Sequence, residues 1–139
     1  MNKEDYVSLE VAKMLQEKGY REPCFATYDM IFKDEFTLIL GLCKKTEFKY
    51  LSRIPSKGIQ LQYLAPTLYE ADKWLRNMGI FIEIIPRYSR KYEVVEYEYR
   101  IATYFDLLEK QGKRVKSKDY YEKYEQCLNN AILEALKLI

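Results

Sequence analysis

At Gly79 the apolar period of the chain changes from 3.6 residues to 2, and that switch constrains the fold more than any other feature. Before it, in the stretch PTLYEADKWLRNMG, Leu68, Ala71, Trp74, Leu75 and Met78 recur at three- and four-residue spacings. Such spacings put them on one side of a helix. Thr67 and Glu70 form a T-x-x-E capping box, in which each side chain takes the other residue's backbone N–H. Asp72 and Arg76 are a favourable i,i+4 pair. After Gly79, Ile80, Ile82 and Ile84 alternate with Phe81, Glu83 and Ile85, the pattern of a strand. Pro86 lacks a backbone donor and predicts a strand end or an edge position. A polar turn at 89 to 91 leads to a second alternating run over 92 to 101. The pair predicts a hairpin whose outer face carries Glu83, Glu96, Glu98 and Arg100.

The flanking segments supply the rest of an α+β domain. A helix is predicted from Ser8 to Lys18, with Ser8 as N-cap, Gly19 as stop and Tyr20 folding back on the last turn. Residues 24 to 32 and 36 to 43 read as two hairpin strands, 48 to 54 as a short third strand, and IQLQYL as a brief extended piece. Residues 103 to 113 read as a short helix started by Thr103 and Asp106 and ended at Gly112, with a strand continuing through Ala102 into a loop as the alternative. Tyr120, Tyr124, Cys127, Leu128, Ala131, Ile132, Ala135, Leu136 and Ile139 predict a long final helix over about 118 to 138, capped by Ser117. The expectation is a single globular domain over residues 1 to 139. It has an antiparallel sheet of four or five strands and two or three helices packed mainly on one face, with Trp74 and Leu75 meeting Leu128 and Ile132. With 139 residues and 48% apolar content, the chain can build a core without a metal or disulfide.

Composition narrows the chemistry. There is no histidine, which removes the residue best suited to proton transfer near neutral pH and the usual Ser–His and Cys–His arrangements with it. Cys24, Cys43 and Cys127 are far apart and odd in number, so neither a zinc site nor a disulfide framework is expected. GLCKKT, at 41 to 46, lacks the paired glycines of a phosphate loop, and no cofactor is expected. The first residues, MNKEDYVSLEV, hold no apolar signal core, and no apolar run is long enough to cross a bilayer. The cytoplasm is the expected compartment.

Three segments, SLEVAKMLQEKGYREPC, APTLYEADKWLRNMGIFIEI and DYYEKYEQCLNNAILEAL, occur in that order. Together they resemble a family of small uncharacterised proteins seen in gut Bacteroidales genomes and in their phages or other mobile elements. The resemblance implies a small stand-alone protein. It assigns no site residues.

Three functional classes follow from the residues. The first is a protein-interaction or self-associating accessory module, with Phe81, Ile85 and Tyr121 as its partner surface, because each falls outside the apolar stripe that the core requires. The second is weak nucleic-acid binding. Its footprint would join Lys44, Lys45, Lys49 and Arg53 to Lys113, Arg114 and Lys116, helped by some of the 14 tyrosines, whose rings can stack bases. The net charge of +2 does not by itself call for a polyanionic partner. The third is a carboxylate-dependent enzyme drawing on Asp29, Asp34, Glu35, Glu83 and Glu96, with Glu83 and Glu96 facing each other across the hairpin. The interaction class leads, and a non-enzyme is expected.

Overall fold

The computed structural model describes residues 2–33, 35–41, 62–108 and 115–139. The chain is α+β and divides into two compact units, Met1–Thr67 and Leu68–Ile139. Each has its own three-stranded antiparallel sheet.

The first unit opens with a 3-10 turn at Lys3–Asp5, followed by helix α1 (Leu9–Glu17). The Ser8 hydroxyl accepts the Val11 N–H at 3.3 Å, as an N-cap does. Gly19, at φ +95°, turns the chain, and Tyr20 donates its N–H to the Leu15 carbonyl at 2.9 Å and is buried. Strands β1 (Ala26–Phe32) and β2 (Glu35–Leu40) form the expected hairpin. The third strand, β3 (Gln62–Ala65), lies where the brief extended piece was predicted and pairs with the other edge of β1. The predicted strand over 48 to 54, and residues 42 and 43 of the second strand, lie outside the described residues. One face holds Ala26, Tyr28, Leu38, Leu40, Tyr63 and Ala65, packed with Tyr6. The Tyr28 hydroxyl donates to the Val7 carbonyl at 2.8 Å, tying the N-terminal segment to the sheet. Lys13 of α1 lies 5.2 Å from the Phe36 ring and 5.6 Å from the Tyr63 ring.

The second unit starts with helix α2 (Leu68–Asn77), which begins directly after Thr67, the residue at the head of the predicted capping box. Gly79, at φ +82°, ends that segment and leads into the hairpin of β4 (Ile80–Ser89) and β5 (Val94–Thr103). A short helix α3 (Tyr104–Leu108) follows β5, and a two-residue strand, β6 (Val115–Lys116), returns to pair with its edge. Helix α4 (Tyr124–Leu136) closes the unit. In register, Ile82 faces Ile101 and Ile84 faces Tyr99. Helix α4 packs against β4 and β5 and beside α2, and Leu75, Ile101, Ile132 and Leu136 are fully buried. Leu75 and Ile132 thus occupy the core, as the sequence predicts for both.

Several expectations are corrected. The sheet is not one of four or five strands. It is two of three, because β3 pairs with β1 and β6 pairs with β5. Strand β4 runs through Pro86 to Ser89 as an edge strand, so of the two positions predicted for that proline the edge is the one it takes. The reason is directional. Tyr97, opposite Pro86, exchanges its two backbone hydrogen bonds with Tyr121 on the far side of β5, so Pro86 points its missing donor away from β5. Met78 is exposed, since the helix has ended before it. The final helix begins at Tyr124 instead of residue 118. Ser117 does not cap it. The Ser117 N–H binds the Tyr99 carbonyl at 2.9 Å and its hydroxyl accepts the Tyr99 N–H at 3.2 Å. Those bonds hold the backbone extended, so Tyr120 lies outside the helix and is exposed, and Tyr124, at the first helical position, is exposed as well.

Asp72 and Arg76 form the predicted pair at 3.4 Å. Burial nevertheless raises the Asp72 pKa above its ordinary 3.8, and the Arg76 charge offsets this only in part. A raised folded-state pKa favours the neutral acid. The stability it gives is therefore complete below about 3.8 and lost as pH rises through the folded value. Asp72→Asn, neutral and of the same shape, is expected to raise the urea midpoint at pH 7, with the gain shrinking at pH 3. An unchanged or lower midpoint at pH 7 would contradict this.

Candidate interaction surfaces of the second sheet

The β4–β5 register sorts side chains onto two faces. The helix-bearing face carries Ile80, Ile82, Ile84, Pro86 and Tyr88 against Thr103, Ile101, Tyr99, Tyr97 and Val95. The outer face carries Phe81, Glu83, Ile85 and Arg87 against Ala102, Arg100, Glu98 and Glu96. The outer-face carboxylates and Arg100 thus share a face as predicted. Lys116, paired with Arg100, joins them.

The three residues predicted as a partner surface divide between the faces. Phe81 and Ile85 stand on the outer face with Glu83 between them, both half-buried. Tyr121 does not join them. It exchanges backbone bonds of 2.8 Å and 2.7 Å with Tyr97, and its ring stacks with Tyr99 at 6.3 Å on the helix-bearing face. Burial comes first, and nearby Asp119, Cys127 and Glu134 add to it, in raising the Tyr121 pKa. Tyr99 is pushed up to about 12, first by burial and then by Tyr121 and Glu134. These are hydroxyls that stay protonated, as core tyrosines do.

The carboxylate pair needed for catalysis does not form. Glu83 faces Arg100 and Glu96 faces Arg87, so opposite charges alternate across the hairpin. Arg87 binds Glu98 at 2.8 Å. Asp29 accepts hydrogen bonds from the Thr27 hydroxyl at 2.6 Å and from Gln62 at 3.0 Å, a tie between β1 and β3. Glu35 is an exposed strand residue paired with Phe32, and Asp34 lies outside the described residues. Cys24 and Cys127 are buried. Burial, with a smaller push from Glu98, holds the Cys127 thiol at about 11, far from the ionised form a nucleophile requires at pH 7. No described group of three His, Cys, Asp or Glu side chains is arranged to hold a metal.

Of the predicted nucleic-acid footprint, Lys44, Lys45, Lys49, Arg53, Lys113 and Arg114 lie outside the described residues. Lys116 is exposed on the outer face beside Arg100.

One surface has no counterpart in the sequence reading. The β4–β5 hairpin carries its helix-bearing face on to an exposed end. There Tyr88 is 64% exposed, Val95 directly opposite it is 49% exposed, and Tyr124 is 46% exposed. The Tyr124 ring meets Tyr97 edge-on at 5.8 Å. The signal was present as the continuing period-2 alternation through Pro86 and Tyr88, which the proline obscured. No family model, curated protein or solved structure matches the chain. Among the described residues no helix is long and apolar enough to cross a membrane.

Proposed function

We propose that the protein is an interaction module that self-associates through the far end of the β4–β5 hairpin. The observation that carries this reading is the apolar register itself. Pro86, Tyr88, Val95 and Tyr97 continue the row that buries Ile80, Tyr99 and Ile101 and half-buries Ile82 and Ile84, yet Tyr88 and Val95 are exposed. A strand face patterned for burial and left in water is a contact surface. Tyrosine suits it, since the ring is buried in a contact while the hydroxyl stays hydrated. Nearby charges are of both signs, with Arg90, Lys91 and Glu93 in the turn and Glu122 and Glu125 beside Tyr124 in sequence, all but Glu125 exposed. A two-fold contact lets the basic turn of one copy meet acidic groups of the other.

Dilution experiments by 15N NMR test this. Amide signals of residues 87 to 97 and of Tyr124 are expected to move with protein concentration while those of β1 to β3 stay fixed. Concentration-independent spectra up to millimolar protein would reject it.

A second reading is favoured by one observation. Arg90, Lys91 and Tyr92 are exposed in one turn beside the exposed Tyr88 of β4, with the Lys91 ammonium 5.2 Å from the Tyr92 ring. Stacking rings beside cations suit single-stranded nucleic acid. Oligonucleotide anisotropy at two salt concentrations separates the two readings. Micromolar binding that falls steeply with salt and is lost in Lys91→Glu would favour nucleic acid.

A further inference from the structure

The outer face of the second sheet holds a depression of about 110 Å³ lined by Phe81, Ile82, Glu83, Arg100, Ala102 and Leu107. Its floor is low because β5 presents Ala102 opposite Phe81. Leu107, from α3, forms a rim and is exposed. The volume suits one branched aliphatic group.

Arg100 is the unusual member. Its Nε is buried and meets no acceptor among the described residues. Its terminal nitrogen is 3.9 Å from a Glu98 oxygen, and that same oxygen already accepts from Arg87 at 2.8 Å. A guanidinium offers five donors in a planar fork, and among the described residues most of that capacity is unspent. A buried donor left without an acceptor calls for an explanation. Lys116 stands directly across from Arg100 on the same face and adds a second cation. Glu83, also in the row, is exposed and opposes an anion there, which limits affinity.

We infer that this depression binds a carboxylate attached to a small apolar group. The apolar part lies between Phe81, Ala102 and Leu107, and the carboxylate takes Arg100 donors with Lys116 beside it. The shared chemistry has two sources, a free branched aliphatic acid or the C-terminal carboxylate of a peptide ending in leucine. The inference stands apart from the hairpin surface, since it uses other residues on the opposite face.

The test is 15N NMR titration of the full chain with 4-methylpentanoate, 4-methylpentanol, and a short acetylated peptide ending in leucine as the free acid or the amide. At least one carboxylate probe is expected to move the amides of Phe81, Arg100, Ala102 and Leu107, and its neutral analogue is expected to leave them in place. Binding of the peptide acid alone assigns the peptide source, and binding of the free acid alone assigns the small molecule. Arg100→Gln is expected to weaken binding about tenfold, as loss of a charge-assisted bidentate contact does. Glu83→Gln is expected to strengthen it by about threefold through removal of a nearby like charge. Leu107→Asp, at the exposed rim, is expected to abolish it with an unchanged melting temperature. Because Arg100 is so sparsely bonded, Arg100→Gln is also expected to melt like the natural protein. Equal shifts from acid and neutral analogues, undiminished binding by Arg100→Gln, or no shift with any probe would each overturn the inference.

Discussion

Ile132→Ala is expected to lower the stability of the second unit by about 2–5 kcal/mol, the range for emptying a close-packed aliphatic site. Ile132 is fully buried at the middle of α4. It lies on the helix that packs on β4, β5 and α2 together, so three neighbours would have to shift to close the cavity. Packing that already interdigitates relaxes only in part, and this is why the loss exceeds the transfer free energy of the missing carbons. Urea unfolding followed by far-UV circular dichroism gives the loss as a lowered midpoint. Leu138→Ala, at an exposed position just past the same helix, is the control and should stay within about 0.5 kcal/mol. Similar effects for the two would mean that α4 does not carry the core.

Gly79→Ala is the second large effect, at about 1–3 kcal/mol. The φ of +82° lies in the left-handed region, where a Cβ crowds the following carbonyl. An added Cβ would also stand 3.4 Å from the Cβ of Tyr104, ordinary contact, so backbone strain and not a clash sets the loss. The strain cannot be relieved freely, because the Gly79 carbonyl accepts the Tyr104 N–H at 2.8 Å and fixes the turn between α2 and β4. Gly19→Ala is the companion measurement. Its φ is +95° with nothing within 4 Å of an added Cβ, so it reports backbone strain alone. Comparable losses at both sites are expected. No loss at Gly79 would mean that the turn opens.

These two residues also show what a sequence alone reveals. Where one rule acted, it read correctly. Ser8 caps α1, Gly19 and Gly79 end their segments with positive φ, and the period switch at Gly79 separates α2 from β4. Where two interactions competed, it did not. Tyr120 fits a helical stripe, but the backbone of Ser117 and Tyr121 on either side of it is claimed by the edge of β5. An extended segment bonded to a strand cannot also be the first turns of a helix. Pro86 reads as either a strand end or an edge position, because its direction is invisible in the sequence, and it takes the edge. It is tolerated because its missing donor faces the outer edge of the sheet.

The candidate sites follow the same division. The charged outer face of the hairpin was legible from alternation, and the structure confirms which residues share it. Partners across the strands were not legible, since a shift of register changes every pair. Glu83 and Glu96, plausible as facing carboxylates, each meet an arginine instead. Tyr121 was placed with Phe81 and Ile85 only because all three fell outside predicted stripes. Its pairing with Tyr97 puts it on the other face. The depression beside Arg100 depends on Ala102 standing opposite Phe81 and on Leu107 from a following helix, a juxtaposition no local pattern encodes.

The most direct test of the proposed interaction surface is sedimentation velocity across a wide concentration series, on the natural protein and on a Tyr88→Ser/Val95→Ser variant. Both side chains are exposed, so the variant is expected to fold and melt like the natural protein. The natural protein is expected to sediment faster as concentration rises, and the variant to remain a single slow species throughout. Identical sedimentation of the two at every concentration would contradict self-association through the hairpin.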